Sequence, residues 1–109
     1  MKKIEEAKGI LKDLQVPVKQ QSEMCCYVLL AMAQIRKEQS WTEATNKWIR
    51  IHDIIGYIKE QYEVEYAENS RETIRKQSLH HYRNAAFIED NGKATNSPNY
   101  RYQIGRAPV

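Results

Sequence analysis

The stretch that decides the fold is Asn69-Ser-Arg-Glu-Thr-Ile-Arg-Lys-Gln-Ser-Leu-His-His-Tyr-Arg-Asn-Ala-Ala-Phe-Ile-Glu-Asp90. At about 100° per residue, Ile74, Ser78, Leu79, Tyr82, Ala85 and Ala86 fall on one arc of a helix. Asn69-Ser-Arg-Glu72 sets a capping residue three before a glutamate, so Asn69 or Ser70 is expected to cap a helix running to about Ala86. The period then changes to two. Phe87-Ile-Glu-Asp90, a turn-rich stretch with Asn91-Gly92 and Ser97-Pro98, and Tyr100-Arg-Tyr-Gln-Ile104 read as a β-hairpin. Its second strand should turn Tyr100, Tyr102 and Ile104 to the protein and Arg101 and Gln103 outward.

Upstream, Ile51, Ile54, Ile55 and Ile58 mark a helix ending near Tyr62, joined to the decisive stretch by the acidic run Glu63-Val-Glu-Tyr-Ala-Glu68. Ser40-Trp-Thr-Glu43 has the form of a capping box: Ser40 accepts from the amide three residues on and Glu43 reaches back. A short helix is expected there, with Trp41 and Trp48 packed on the core. Residues from Ser22 to about Lys37 are apolar nearly all round, which describes a helix enclosed by its neighbours. Ile4, Ala7, Leu11 and Leu14 define a first helix over 3–14, stopped by Val16 and Pro17. The fold class is therefore mainly α: four to five helices followed by a C-terminal hairpin, the plan of a winged helix-turn-helix with the hairpin as wing. Residues 1–104 form that domain and 105–109 read as a linker or chain end.

A chain of 109 residues and 12.8 kDa holds one modest core. The net charge of +3 is unevenly spread: residues 1–51 carry +3, 52–68 carry −4 and 69–109 carry +4. Such a distribution suits an anionic partner without establishing one. Cys25 and Cys26 are adjacent inside an apolar run and cannot staple distant segments, which fits a reduced, cytoplasmic protein. The N-terminus has no apolar h-region and Met24–Ala33 is too short to span a bilayer, so neither export nor a membrane anchor is expected.

Opposite the apolar arc of residues 70–86 lie Thr73, Lys76, Gln77 and His80, flanked by Glu72, Arg83 and Asn84. Lys donates to guanine O6 and N7, Gln pairs bidentately with adenine, and Thr offers a hydroxyl or touches a thymine methyl, all from a helix in the major groove. A solvated polar face is the plainer reading, and on the residues alone the two weigh equally. Arg71 and Arg75 project toward the apolar arc. Phosphate contact beside the helix N-terminus suits Arg71, and pairing with Glu60, Glu63, Glu65 or Glu68 suits Arg75. Lys93 and Arg101, with Arg106 beyond, place cations on the hairpin, where a wing grips backbone or minor groove; ordinary surface charge accounts for each singly.

Catalytic signals are weak. The one Glu-x-Lys match, Glu6-Ala7-Lys8, sits on an amphipathic helix with no second carboxylate run feeding the same point. The cysteines lie in an apolar helix without a nearby cation. His80 and His81 are adjacent and point about 100° apart, so both cannot serve one metal. No glycine-rich phosphate loop and no paired zinc-ligand spacing occur, so no metal, cofactor or small-molecule substrate is expected of this chain.

Leu14-Gln-Val-Pro-Val-Lys-Gln-Gln-Ser-Glu23, Ser40-Trp-Thr-Glu-Ala44, Ala67-Glu-Asn-Ser-Arg-Glu-Thr-Ile-Arg-Lys-Gln-Ser-Leu-His80, and Asn96-Ser-Pro98 with Tyr102-Gln-Ile104 resemble the N-terminal domain of the BsuBI/PstI type II restriction endonucleases. The similarity runs in order over nearly the whole chain. It implies a helix-turn-helix domain that precedes a separate Mg²⁺-dependent nuclease domain acting on a palindromic duplex site. It also implies that Arg71, Thr73, Arg75, Lys76, Gln77 and His80 belong to the DNA-facing helix. The nuclease half is not expected within these residues, so cleavage and its Mg²⁺ do not carry over, and the expected partner is double-stranded DNA. A homodimer suits a palindromic target. The other readings are a structural or dimerisation platform of the same enzyme, a stand-alone winged-helix regulator, and a stand-alone nuclease.

Overall fold

The computed structural model describes residues 2–17, 22–92 and 100–105. Helix α1 (Lys2–Asp13) packs on α2 (Glu23–Ala33), which also meets α3 (Ile51–Tyr62) and the helical run over 71–84. That run has three parts: α4 (Arg71–Ile74), a π-helical turn at Arg75–Leu79, and α5 (His80–Asn84). Strands β1 (Ile88–Asp90) and β2 (Tyr102–Ile104) pair antiparallel, Ile88 opposite Ile104 and Asp90 opposite Tyr102. The winged helix-turn-helix plan is therefore present, and Lys93 lies outside the described residues.

The all-round apolar helix is the centre of the core: every residue of α2 from Cys25 to Ala33 is buried. Ile4, Ala7 and Leu11 of α1, and Ile51, Ile54, Ile55 and Ile58 of α3, bury the faces their spacing assigns them. Ser22 caps α2, its Oγ accepting from the Cys25 amide at 3.4 Å. Trp41 is half-buried and donates Nε1 to Glu6 Oε1 at 2.9 Å, which ties the loop after α2 to α1.

The helix ends are where the structure departs from pattern. Helix α2 stops at Ala33, four residues short of the expected Lys37, because Gln34 turns left-handed (φ 57°) and Ile35 folds back. The Gln34 amide donates to Ala31 O at 3.2 Å and the Ile35 amide to Leu30 O at 2.9 Å, the double bond of a Schellman cap. The same arrangement closes α1 at Gln15 (φ 62°) and Val16, and α5 at Ala86 (φ 66°) and Phe87. None of these sites has the glycine that such a cap favours. In each, the residue after the left-handed one (Val16, Ile35, Phe87) is apolar and buried, so burial offsets the backbone cost. Ala86, assigned by its spacing to the core arc, is exposed as a result.

Three local expectations are corrected. Ser40 opens only a 3₁₀ turn, Trp41–Glu43, and its Oγ accepts from Thr42, two residues on, at 3.2 Å. Neither Asn69 nor Ser70 caps the helix at 71: both lie within a 3₁₀ turn, Glu68–Ser70, and Ser70 has helical dihedrals. Trp48 does not pack on the core but is 44% exposed. Its neighbour Ile49 explains why, since its N–H and C=O each pair with Tyr102 at 2.8 Å. This adds a third, one-residue strand to the hairpin, and side chains alternate along it.

On a regular helix Ile74 and Leu79 would point about 140° apart, five residues at about 100° each. Both are completely buried, as are Ser78 and Tyr82. The π-turn reconciles them by absorbing one residue without advancing the helix face.

Truncating Leu79 to alanine should cost about 2–5 kcal/mol in urea unfolding, whereas Ala86→Gly should raise stability by up to about 1 kcal/mol by relieving the left-handed alanine.

Candidate nucleic-acid interface

Helix α3 and the run over 71–84 form the two-helix unit of the fold, with the hairpin beside the second helix. Thr73, Lys76 and Gln77 are exposed on that helix, and Arg71 is exposed in its first turn. Among the described residues none of these four side chains enters a hydrogen bond or ion pair. Thr73, Lys76 and Gln77 share the polar face opposite Ile74, Ser78, Leu79 and Tyr82, which are buried, and Arg71 stands exposed at the helix start.

Arg75 and Arg83 are engaged differently. Arg75, its side chain 30% exposed, grips Glu72 with Nη2–Oε2 at 2.6 Å and Nε–Oε1 at 3.3 Å. The expected ion pair exists, but its partner is on the same helix. The acidic connection is spent elsewhere: Glu65 pairs with Lys59 at 3.5 Å and Glu68 meets His52 Nδ1 at 2.7 Å. Arg83 reaches the hairpin and pairs with Asp90. Asp90 also accepts the Gly92 amide at 2.8 Å and the Tyr100 hydroxyl at 3.1 Å, so one carboxylate joins helix, strand and turn. The Gly92 amide, with Arg83 and Tyr100 behind it, holds the Asp90 carboxyl below the usual carboxylate range.

The π-turn divides the set proposed from spacing. His80 does not stay with Thr73 and Gln77; together with Arg75, Leu79, Arg83, Tyr100 and Tyr102 it lines a shallow cleft between helix and hairpin. Asn84 bonds its Nε2 at 3.3 Å. Arg101, just before β2, is half-buried with Nη1 donating to Tyr100 O at 3.3 Å, and Gln103 donates to Asn46 O at 2.6 Å, so neither points freely outward. Glu6 is occupied by Lys3 at 2.9 Å and by Trp41, and burial pushes the Cys26 thiol up to about 11. Among the described residues no three His, Cys, Asp or Glu side chains converge to hold a cation, and no helix is long and apolar enough to cross a membrane.

Comparison with known proteins gives this geometry its context. The model of the BsuBI/PstI restriction endonuclease HTH domain matches residues 1–108. The chain belongs to that family. It is 35% identical over 105 residues to the type II restriction enzyme BsuBI of Bacillus subtilis, and 33% identical over 104 residues to AplI of Arthrospira platensis. Each match covers 93% of this chain but only 33% and 32% of the relative, so the chain spans about a third of the length of these enzymes. The SdaI restriction endonuclease shares the fold, with a TM-score of 0.86 at 24% identity over 94% of this chain and 33% of that one. The winged helix-turn-helix read from the sequence is thus the family's HTH domain.

Because the Asp90 carboxyl is held low in the folded state, its stabilisation is complete above the ordinary carboxylate pKa and is lost as pH falls through the folded value. Asp90→Asn should therefore be less stable than the natural protein at pH 7. Urea midpoints should converge below about pH 4; a gap that stays constant down to pH 2 would overturn the assignment.

Proposed function

We propose that this chain is the DNA-recognition domain of a type II restriction endonuclease: it finds a duplex site and leaves cleavage to residues beyond those present here. The observation that carries this reading is the exposed, unengaged face of Thr73, Lys76 and Gln77, with Arg71 exposed at the start of the same helix, the second of the helix-turn-helix. Family membership supports it, since the matched relatives are type II restriction enzymes. Lys76 and Gln77 have the donor geometry for guanine and adenine edges in the major groove, and Thr73 that for a thymine methyl or a hydroxyl bond. Arg71, near the start of the helix, is assigned to a phosphate; Lys93, by its place in the sequence, and Arg101, on exchanging its bond to Tyr100 O, are assigned the same role. Arg75, His80 and Arg83 flank the groove from the cleft side. Arg75 and Arg83 contribute less charge than their number suggests because Glu72 and Asp90 neutralise them locally.

The Mg²⁺ of a restriction nuclease finds no converging donors among the described residues, so no catalytic step is derived from this chain. Incubation with plasmid DNA and Mg²⁺ should leave the plasmid intact; nicking that survives repurification would refute the division of labour.

Mobility-shift titrations test the reading face. Lys76→Ala and Gln77→Ala should each lose roughly 1–3 kcal/mol of discrimination on a duplex selected by the natural protein. Arg71→Ala should weaken all duplexes alike and lower the salt slope by about 0.9. Unchanged affinity and sequence preference in all three variants would sink the assignment. A stable dimer in sedimentation with no affinity for DNA at low salt would favour a purely structural domain.

A further inference from the structure

Cys25 was singled out in the sequence only as a core thiol, yet three bonds converge on it from helix 71–84. Its Sγ donates to Gln77 O at 3.3 Å and accepts from Ser78 Oγ at 3.0 Å, while the Tyr82 hydroxyl donates to its backbone oxygen. Cys25, Ser78 and Tyr82 are all buried. The first two bonds fall inside the π-turn, whose i→i−5 bond runs from the His80 amide to Arg75 O. An extra residue in an i→i−4 ladder interrupts its regular pairing, so bonds from a neighbouring helix into the turn help to hold it. The thiol donates to a carbonyl inside this turn, and Ser78, also within the turn, completes the sulfur's hydrogen bonding.

We propose that Cys25 is a positioning residue for DNA reading: it holds the π-turn that decides which side chains of helix 71–84 face the groove and which face the hairpin. This role rests on the DNA-recognition reading above. Without the turn, a regular helix would advance every residue after it by about 100°. His80 and Arg83 would then swing out of the cleft with Tyr100 and Tyr102, and the Arg83 link to Asp90 would be lost. Lys76 and Gln77, inside the turn, would shift relative to Thr73 before it. Sulfur suits the task because its bonds are long. A hydroxyl prefers a separation of about 2.7–2.8 Å, and would draw the two helices together.

The test starts from the full chain and a randomised 20-base-pair duplex library, with the best duplex selected by the natural protein as probe. Cys25→Ala is expected to remain folded by circular dichroism and to bind that duplex about tenfold more weakly, the loss of one base-edge contact, with an unchanged salt slope. Repeating the selection with Cys25→Ala should recover an altered motif. Cys25→Ser, which keeps a donor at a shorter preferred separation, should regain only part of the affinity, and Ser78→Ala should weaken binding less than Cys25→Ala. Cys26→Ala, which removes the neighbouring buried thiol, should lower Tm without changing affinity or motif. Should Cys25→Ala match Cys26→Ala in affinity and motif, the positioning role is overturned and the thiol is only packing. If the natural protein enriches no duplex, the recognition reading itself fails and takes this role with it, an outcome distinct from binding that ignores Cys25.

Discussion

Helix α2 has no polar side to present to water, and the rest of the molecule is arranged to cover it. Eleven residues long, it buries nine in succession, so neighbours must approach from every direction. Helix α1 supplies Ile4, Ala7 and Leu11, α3 its isoleucine face, and the helix at 71–84 supplies Ile74, Leu79 and Tyr82. Full enclosure also puts polar atoms of the surrounding elements in dry surroundings, where unpaired groups are costly. The buried Tyr62 hydroxyl meets Ile35 O at 2.7 Å, and that of Tyr82 meets Cys25 O. Placing the second helix of the helix-turn-helix follows from covering α2.

The same demand explains the irregular backbone. Gln15, Gln34 and Ala86 take left-handed dihedrals without glycine because each delivers an apolar residue into the core immediately afterwards. Glu63 turns left-handed at the end of α3 and redirects the chain toward the next helix. The π-turn at Arg75–Leu79 belongs with these: it brings Ser78 and Leu79 onto one buried face at the expense of regular helical bonding. Backbone compromises of about 1–3 kcal/mol each are sustained only where surrounding packing over-determines them.

On the outer side, charge is distributed less simply than a residue count suggests. Glu72 and Asp90 occupy Arg75 and Arg83, so these cations organise helix and wing while Arg71 and Lys76 stay exposed without an ion pair among the described residues. The Arg83, Asp90 and Tyr100 contacts link the helix at 71–84 to the hairpin, and Ile49 secures the opposite strand. Helix and wing are thereby held as one surface.

The amino-acid sequence by itself determined the helices, the hairpin and the strip of Thr73, Lys76 and Gln77, because these follow from periodicity, and period is a local property of the chain. The isoleucines of α3 and the apolar continuity of α2 allowed no other assignment. Three features were decided only by tertiary structure. Helix ends at Gln34 and Ala86 carry no glycine, and the deciding factor was where the next apolar residue could be buried. Arg75 took Glu72 because the acidic connection folds back on His52 and Lys59. His80 lines the cleft beside the hairpin because a wheel at constant pitch cannot anticipate a π-turn bonded to a thiol 52 positions away in the chain. Periodicity reports which faces are apolar, and contacts distant in sequence determine how those faces are rotated against one another.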